Sequence, residues 1–383
     1  MLTINSIFHL IIDAICAYSI FGFYGVDNLN AYIIYNLCAF TLQMPFGAVL
    51  DLVTYKLKKA SDHTAKRFYW LITALGAVVT LIGMYSGPIA LGVGNALFHI
   101  GGGVNTIKED ENRRMKGAGM GIFVAPGAIG LFLGRTLSEF TTLTVEIRNV
   151  MICICALLIL AGFLRLQYEI RHCNFIKVES CRPDEIIPGV TKKHITSKKR
   201  EASKLPSAKG HAILAVLVAV IGCFVVVVLR SYIGLEVTFP WKKGFVLPLI
   251  ATLAVAGGKA LGGIFAAKFG ELKTILLSLG LAIFCFAFSK YAVFGILALL
   301  LFNMTMPVTL YILIKRLPLF SGLSFGLLTV GLFIGYFLHL TIPAQAIQDN
   351  ILGVVGSGLS LVILGLTVFF GDKLDGKPDP FNH

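Results

Sequence analysis

Twelve stretches of about twenty predominantly apolar residues follow one another along this chain, each long enough to cross the hydrocarbon core of a bilayer as a helix. They fall within 5–25, 29–50, 66–85, 88–107, 117–138, 145–166, 210–232, 244–267, 272–289, 291–313, 319–342 and 351–371. Composition agrees: 56% of the residues are hydrophobic and 14% charged, against roughly 25% charged in ordinary soluble domains. A soluble fold could not hide that much apolar surface, so the expected fold is an all-α integral membrane protein. The 40 glycines and 29 phenylalanines suit helices that pack closely through small residues and fill gaps with large ones.

The net charge of +13 is confined mainly to the loops, where it signals topology and excludes a nucleic-acid partner. The loops YKLKKASDHTAKR, KEDENRRMKG, KFGELK and IKRLP fall on one side, and YGVDNLN, YSGP and TIPAQAIQDN on the other. Lys and Arg stay in the cytoplasm, so both termini are predicted to be cytoplasmic in a multi-pass protein of the inner or plasma membrane. The N-terminal stretch carries Asp13 and neither a basic region nor a small-residue cleavage site, and is expected to be a retained first helix. Cys16, Cys38, Cys153, Cys155, Cys223 and Cys285 sit in apolar stretches, where thiols act as small hydrophobes. Cys173 and Cys181 read as an ordinary reduced pair, and neither a metal site nor a cofactor is predicted.

The extended polar stretch 167–209 separates six spans from six. The expected organisation is an N-terminal six-helix bundle over 1–166, a basic cytoplasmic linker over 167–209, a C-terminal six-helix bundle over 210–372 and a cytoplasmic tail over 373–383. RLQYEIRHCNFIKV, at the start of the linker, could lie as an interfacial helix on the anionic leaflet, or simply be a charged tether. Three correspondences support a six-plus-six repeat. FGAVLDLVTYKLKK ends span two and GGIFAAKFGELKT ends span eight; Asn95 in span four aligns with Asn303 in span ten; Gly121 to Gly130 in span five matches Gly326 to Gly335 in span eleven.

Gly47, Leu50 and Asp51, with Gly263, Ala266, Lys268 and Gly270 in the second half, resemble the loop motif Gly-x-Leu-Ala-Asp-Arg-x-Gly-Arg-Lys of the major facilitator superfamily. Ala267 stands where the second copy would carry its acid. The resemblance implies twelve helices in two pseudo-symmetric bundles around a central cavity, working as a monomer by alternating access. It implies a cytoplasmic gate at Asp51, Gly47, Lys268 and Gly270, in which a carboxylate at a helix N-terminus locks one conformation. GIFVAPGAIGLFLG, with Ala125 and Pro126, is similar to the Gly-Pro-x-x-Gly-Gly motif of the exporter branch, which leans the reading toward efflux.

Intramembrane ionisable residues are functional candidates because charge inside a bilayer is costly. His9 and Asp13 stand at i and i+4 on one helix face, and are expected to carry a coupling proton. A substrate cavity is expected from His99, Asn95, Asn303, Tyr18, Gln43, Tyr311, Lys259, Arg230 and Arg135. Arg135 and Arg230 also read as anchors reaching the interface. The charges favour an organic anion or an amphiphilic compound, with protons and membrane lipids as further partners. Uptake of a small metabolite is the alternative. A lipid-modifying membrane enzyme would need nucleophile or metal motifs that are not present, so no catalytic residue is assigned.

Overall fold

The computed structural model describes residues 1–24, 28–113, 115–140, 145–179, 206–344 and 348–374. Fourteen α-helices account for nearly all of them: α1 (Leu2–Phe23), α2 (Leu29–Asn36), α3 (Gln43–Ala60), α4 (Asp62–Ser86), α5 (Pro88–Arg113), α6 (Ala118–Phe140), α7 (Val145–Glu179), α8 (Pro206–Glu236), α9 (Val246–Phe269), α10 (Glu271–Ala287), α11 (Ala292–Asn303), α12 (Thr305–Arg316), α13 (Ser321–Thr341) and α14 (Asp349–Leu374). Two spans are broken, so the fourteen helices form twelve crossings. Each crossing lies where an apolar window predicts it.

In the second crossing, α2 passes into α3 through a π-helical stretch, Leu37–Thr41. Polar side chains take over its carbonyls there: Thr41 Oγ1 donates to Leu37 O at 2.6 Å and Gln43 Nε2 to Ala39 O at 2.7 Å. The break between α11 and α12 has another cause. Pro307 has no N–H to give the carbonyl of Asn303, and the chain tightens at Met304, whose N–H reaches Leu301 O at 3.2 Å.

Ten of the crossings are long and apolar enough to be recognised as spans on those grounds alone. The other two are α5, whose last turns carry charges, and α10, which has 17 residues. Outward-facing positions hold large apolar side chains such as Leu71, Leu157, Ile221, Phe284, Val293 and Val362, all more than half exposed. That inversion of the soluble pattern is what a hydrocarbon solvent dictates.

The repeat seen in the sequence recurs in the packing. In the first half α6 packs on α1 and crosses over to α9; in the second, α13 packs on α8 and crosses over to α3. Glycines make both crossings possible. A Cβ on Gly121 would stand 2.6 Å from Lys259 O, and one on Gly263 2.6 Å from Gly117 O. A Cβ on Gly322 would stand 2.6 Å from Gly47 O. Backbone therefore meets backbone at both junctions between halves.

Residues 167–179 continue α7 instead of opening a linker, because no Gly or Pro interrupts them before the described segment ends. The rest of the basic linker, Cys181 and the tail beyond Leu374 lie outside the described residues.

Candidate functional site

The i, i+4 spacing on α1 puts His9 and Asp13 on one face, with His9 Nε2 and Asp13 Oδ2 3.1 Å apart. The α5 helix brings His99 to the same point: His99 Nε2 is 2.8 Å from His9 Nε2 and 3.6 Å from Asp13 Oδ1. Asn95, one turn before His99, donates from Nδ2 to Asp13 Oδ1 at 3.2 Å and stands 3.5 Å from Cys16 Sγ. Three predicted cavity or coupling residues thus converge, and a fourth, Asn95, positions the carboxylate. Asp13, His9 and Asn95 are buried, and the His99 side chain is 13% exposed.

The outer nitrogens of the two imidazoles settle their tautomers. His9 Nδ1 faces the carbonyl of Phe123 at 2.8 Å and His99 Nδ1 the carbonyl of Asn95 at 2.9 Å. A carbonyl only accepts, so each Nδ1 carries a hydrogen. In neutral rings both Nε2 atoms then present lone pairs to one another and to a carboxylate. Such a convergence of acceptors favours a cation at this point.

Gly127 of α6 completes the cluster. A Cβ there would overlap His9 Nε2 and come within 2.6 Å of Asp13 Oδ2, so the backbone closes directly over the polar atoms.

The second half supplies basic groups. Lys259 on α9 is close enough to Asp13 and to Arg230 for their charges to interact. Arg230 on α8 is 7% exposed and so is not the interfacial anchor that its place near a helix end suggests. It lines a small cavity with Met120, Val124, Met306, Pro307 and Phe325. Among the described residues its Nη1 has no hydrogen-bond partner.

Other expected cavity residues stand elsewhere. Arg135 is exposed, 3.7 Å from Glu139 and 5.2 Å above the Phe21 ring, as an anchor would be. Tyr311 packs on Gly117 at the turn between α5 and α6. Tyr18 is fully buried within the first half. Asn303 donates to Leu299 O at 2.8 Å, within its own helix. Gln43 sits at the π-helical break, its Oε1 without a hydrogen-bond partner among the described residues.

At the end that carries the basic loops, Asp51 accepts from the amides of Gly322 and Leu323, both at 2.9 Å. Gly47 lies against Gly322 beside it. Lys268 is exposed over Phe269, and Gly270 caps α10 at φ 89°; among the described residues neither reaches the other half. Two residues not singled out from the sequence stand at this end. Lys108 donates to Ser321 Oγ at 2.9 Å and to Pro318 O at 3.2 Å. Asp110 accepts from Gly117 N at 3.1 Å and Met120 N at 3.4 Å, capping α6 as Asp51 caps α13. The pairing of carboxylates with the two equivalent helices was the signal available in the loop KEDENRRMKG.

Among solved structures, the chain is similar to the human organic anion transporter MFSD10 at 13% identity and a TM-score of 0.52, over 96% of this chain and 98% of that one. It is similar to a bacterial homologue of the iron transporter ferroportin at 13% identity and a TM-score of 0.51, over 98% and 99% of the two chains. The fucose:proton symporter of E. coli aligns at 14% identity and a TM-score of 0.50, over 96% and 97%. The fold is that of the major facilitator transporters. At these identities the likeness establishes architecture and leaves substrate open. No protein-family model and no curated protein matches the chain. In this facilitator fold the His9, Asp13 and His99 cluster belongs to the first half, and Lys259 and Arg230 belong to the second.

Proposed function

We propose that this protein is a secondary active transporter that works by alternating access, exporting an organic anion or an amphiphilic compound in exchange for protons. The arrangement that carries this reading is the buried convergence of His9, Asp13 and His99 in the first half, with Lys259 of the second near enough for its charge to bear on Asp13. A change of charge in the cluster alters the attraction between the halves, which is what coupling requires. Arg230, whose Nη1 has no hydrogen-bond partner among the described residues, and the neighbouring Lys259 favour an anionic substrate, since a buried cation gains from a counter-charge.

The backbone contacts at Gly47–Gly322 and Gly121–Gly263 support rigid halves that part and rejoin. The names of the similar structures, an organic anion transporter and a proton symporter, agree with the class and with the coupling ion. The motif around Pro126 is the ground for preferring export.

The test is reconstitution in liposomes with an internal pH dye and a panel of organic anions, drugs and sugars, comparing the natural protein with Asp13→Asn. Proton movement that depends on one compound and disappears in Asp13→Asn names the substrate and supports coupling. Compound flux without proton movement in either protein removes proton coupling and leaves exchange or facilitated diffusion.

A further inference from the structure

We infer that the cluster of His9, His99 and Asp13 is a binding site for a divalent first-row transition-metal ion. The inference rests on the same reading of the cluster as a cation site inside a transporter, and adds a second kind of occupant.

The donor set is the first ground. Two imidazole Nε2 atoms and a carboxylate converge, with all three ligand atoms within 4.8 Å of one another. Imidazole and carboxylate together suit zinc, iron, cobalt, nickel and manganese, whereas calcium and magnesium prefer all-oxygen sites.

The spacing is the second. A metal about 2.0–2.1 Å from each of two ligand atoms holds them about 2.9 Å apart at a right angle and about 3.4 Å apart at the tetrahedral angle. The separations here, 2.8 Å between the two Nε2 atoms, 3.1 Å from His9 Nε2 to Asp13 Oδ2 and 3.6 Å from His99 Nε2 to Asp13 Oδ1, lie close to that range, with the carboxylate offering one oxygen to each histidine.

The third ground is the support behind the ligands. Metal-binding histidines characteristically donate their other N–H to a carbonyl or carboxylate, which fixes the ring and aims its lone pair. Both histidines do so here, to Phe123 O and Asn95 O. Asn95 Nδ2 orients Asp13 in the same way. A packing histidine has no need to hold its lone pair against another histidine's lone pair. The absence of a side chain at Gly127, where even a Cβ would overlap His9 Nε2, leaves the ligand atoms their room.

Lys259 opposes a dication, because its charge reaches the cluster. That opposition supplies a test that a merely structural role of the three residues would not pass.

The experiment titrates Co²⁺ into the full-length protein in nanodiscs and records visible d–d absorption, with Zn²⁺ as competitor. The expected result is one Co²⁺ per chain, displaced by Zn²⁺, with affinity lowered at least tenfold in Asp13→Asn, in His99→Gln and in Gly127→Ala. Lys259→Met should bind Co²⁺ several-fold more tightly. In the natural protein, Zn²⁺ should raise the midpoint of thermal unfolding with the same concentration dependence, which keeps the test decisive if a variant does not fold. Absence of saturable Co²⁺ absorption overturns the inference. So does binding that Asp13→Asn and His99→Gln leave unchanged, since the ion would then sit on surface histidines. Asp13-dependent proton flux without Co²⁺ binding would leave the transport reading standing and remove this one alone.

Discussion

Asp51 and Gly322 lie 271 positions apart in the chain and are joined by a hydrogen bond, the Gly322 amide donating to Asp51 Oδ1 at 2.9 Å. Leu323 donates to the other carboxylate oxygen, so one side chain from the first half holds the first turn of a helix in the second. The positive end of the α13 dipole makes the negative charge, as well as the shape, of Asp51 count.

Asp51→Asn keeps the shape and removes the charge. The closed arrangement at this end should weaken by about 1 kcal/mol, or a few-fold in population. Hydrogen–deuterium exchange of the segment 320–324 should accelerate in the variant, and unchanged exchange would show that the carboxylate does not hold the junction.

Gly47→Ala adds a Cβ that would overlap Gly322 O and come within 3.0 Å of Leu323 N. Neither neighbour is a flexible side chain, so the halves must separate there. Distances between spin labels on the two halves should lengthen at the basic end, while Gly257→Ala, where nothing lies within 4 Å, should leave them alone.

Asn95→Leu deprives Asp13 of a buried hydrogen bond, a change that costs about 1–3 kcal/mol when the partner is left unsatisfied. The variant should unfold at a lower temperature in detergent and should lose proton-driven substrate accumulation in liposomes. Accumulation at the natural level would remove Asn95 from the site.

Arg230→Gln and Arg135→Ala separate a buried cation from an exposed one. With an anionic substrate, Arg230→Gln should raise the Kd about tenfold or more, corresponding to about 1.4 kcal/mol or more. Arg135→Ala should change it by less than about twofold, as expected of a screened surface charge. Equal effects of the two would contradict the placement of Arg230 in the cavity.

The twelve crossings were legible because hydrocarbon solvent imposes one rule, about twenty apolar residues per helix, that no tertiary contact overrides. The pairing of His9 with Asp13 was legible for a similar reason, since helical periodicity alone puts i and i+4 together. His99 was recognisable as an unusual intramembrane histidine, but its approach to His9 depends on how α5 packs beside α1, and no local pattern encodes that. Arg230 shows the opposite limit. Its position near a helix end fits an anchor in any hydropathy profile, and only the packing of α6, α12 and α13 around it buries it. The junction at the basic end was half legible: Asp51 stands out as a motif residue, while Lys108 and Asp110 lie in a charged stretch whose paired and solvated members look alike.

The two interruptions in the second and tenth crossings, at Leu37–Thr41 and at Met304, do not occupy equivalent places in the six-plus-six repeat. The second crossing has span eight as its counterpart, and the tenth has span four, both continuous. Among the described residues each bundle therefore owns a single elbow, and the elbows stand on different limbs. Below its elbow, α3 is clamped to α13; above it, the eight residues of α2 have their own purchase on α5. The eight residues of α2, separated from the clamped α3 by the π-helical stretch, are thus the part of the second crossing that can shift without disturbing the Asp51 junction.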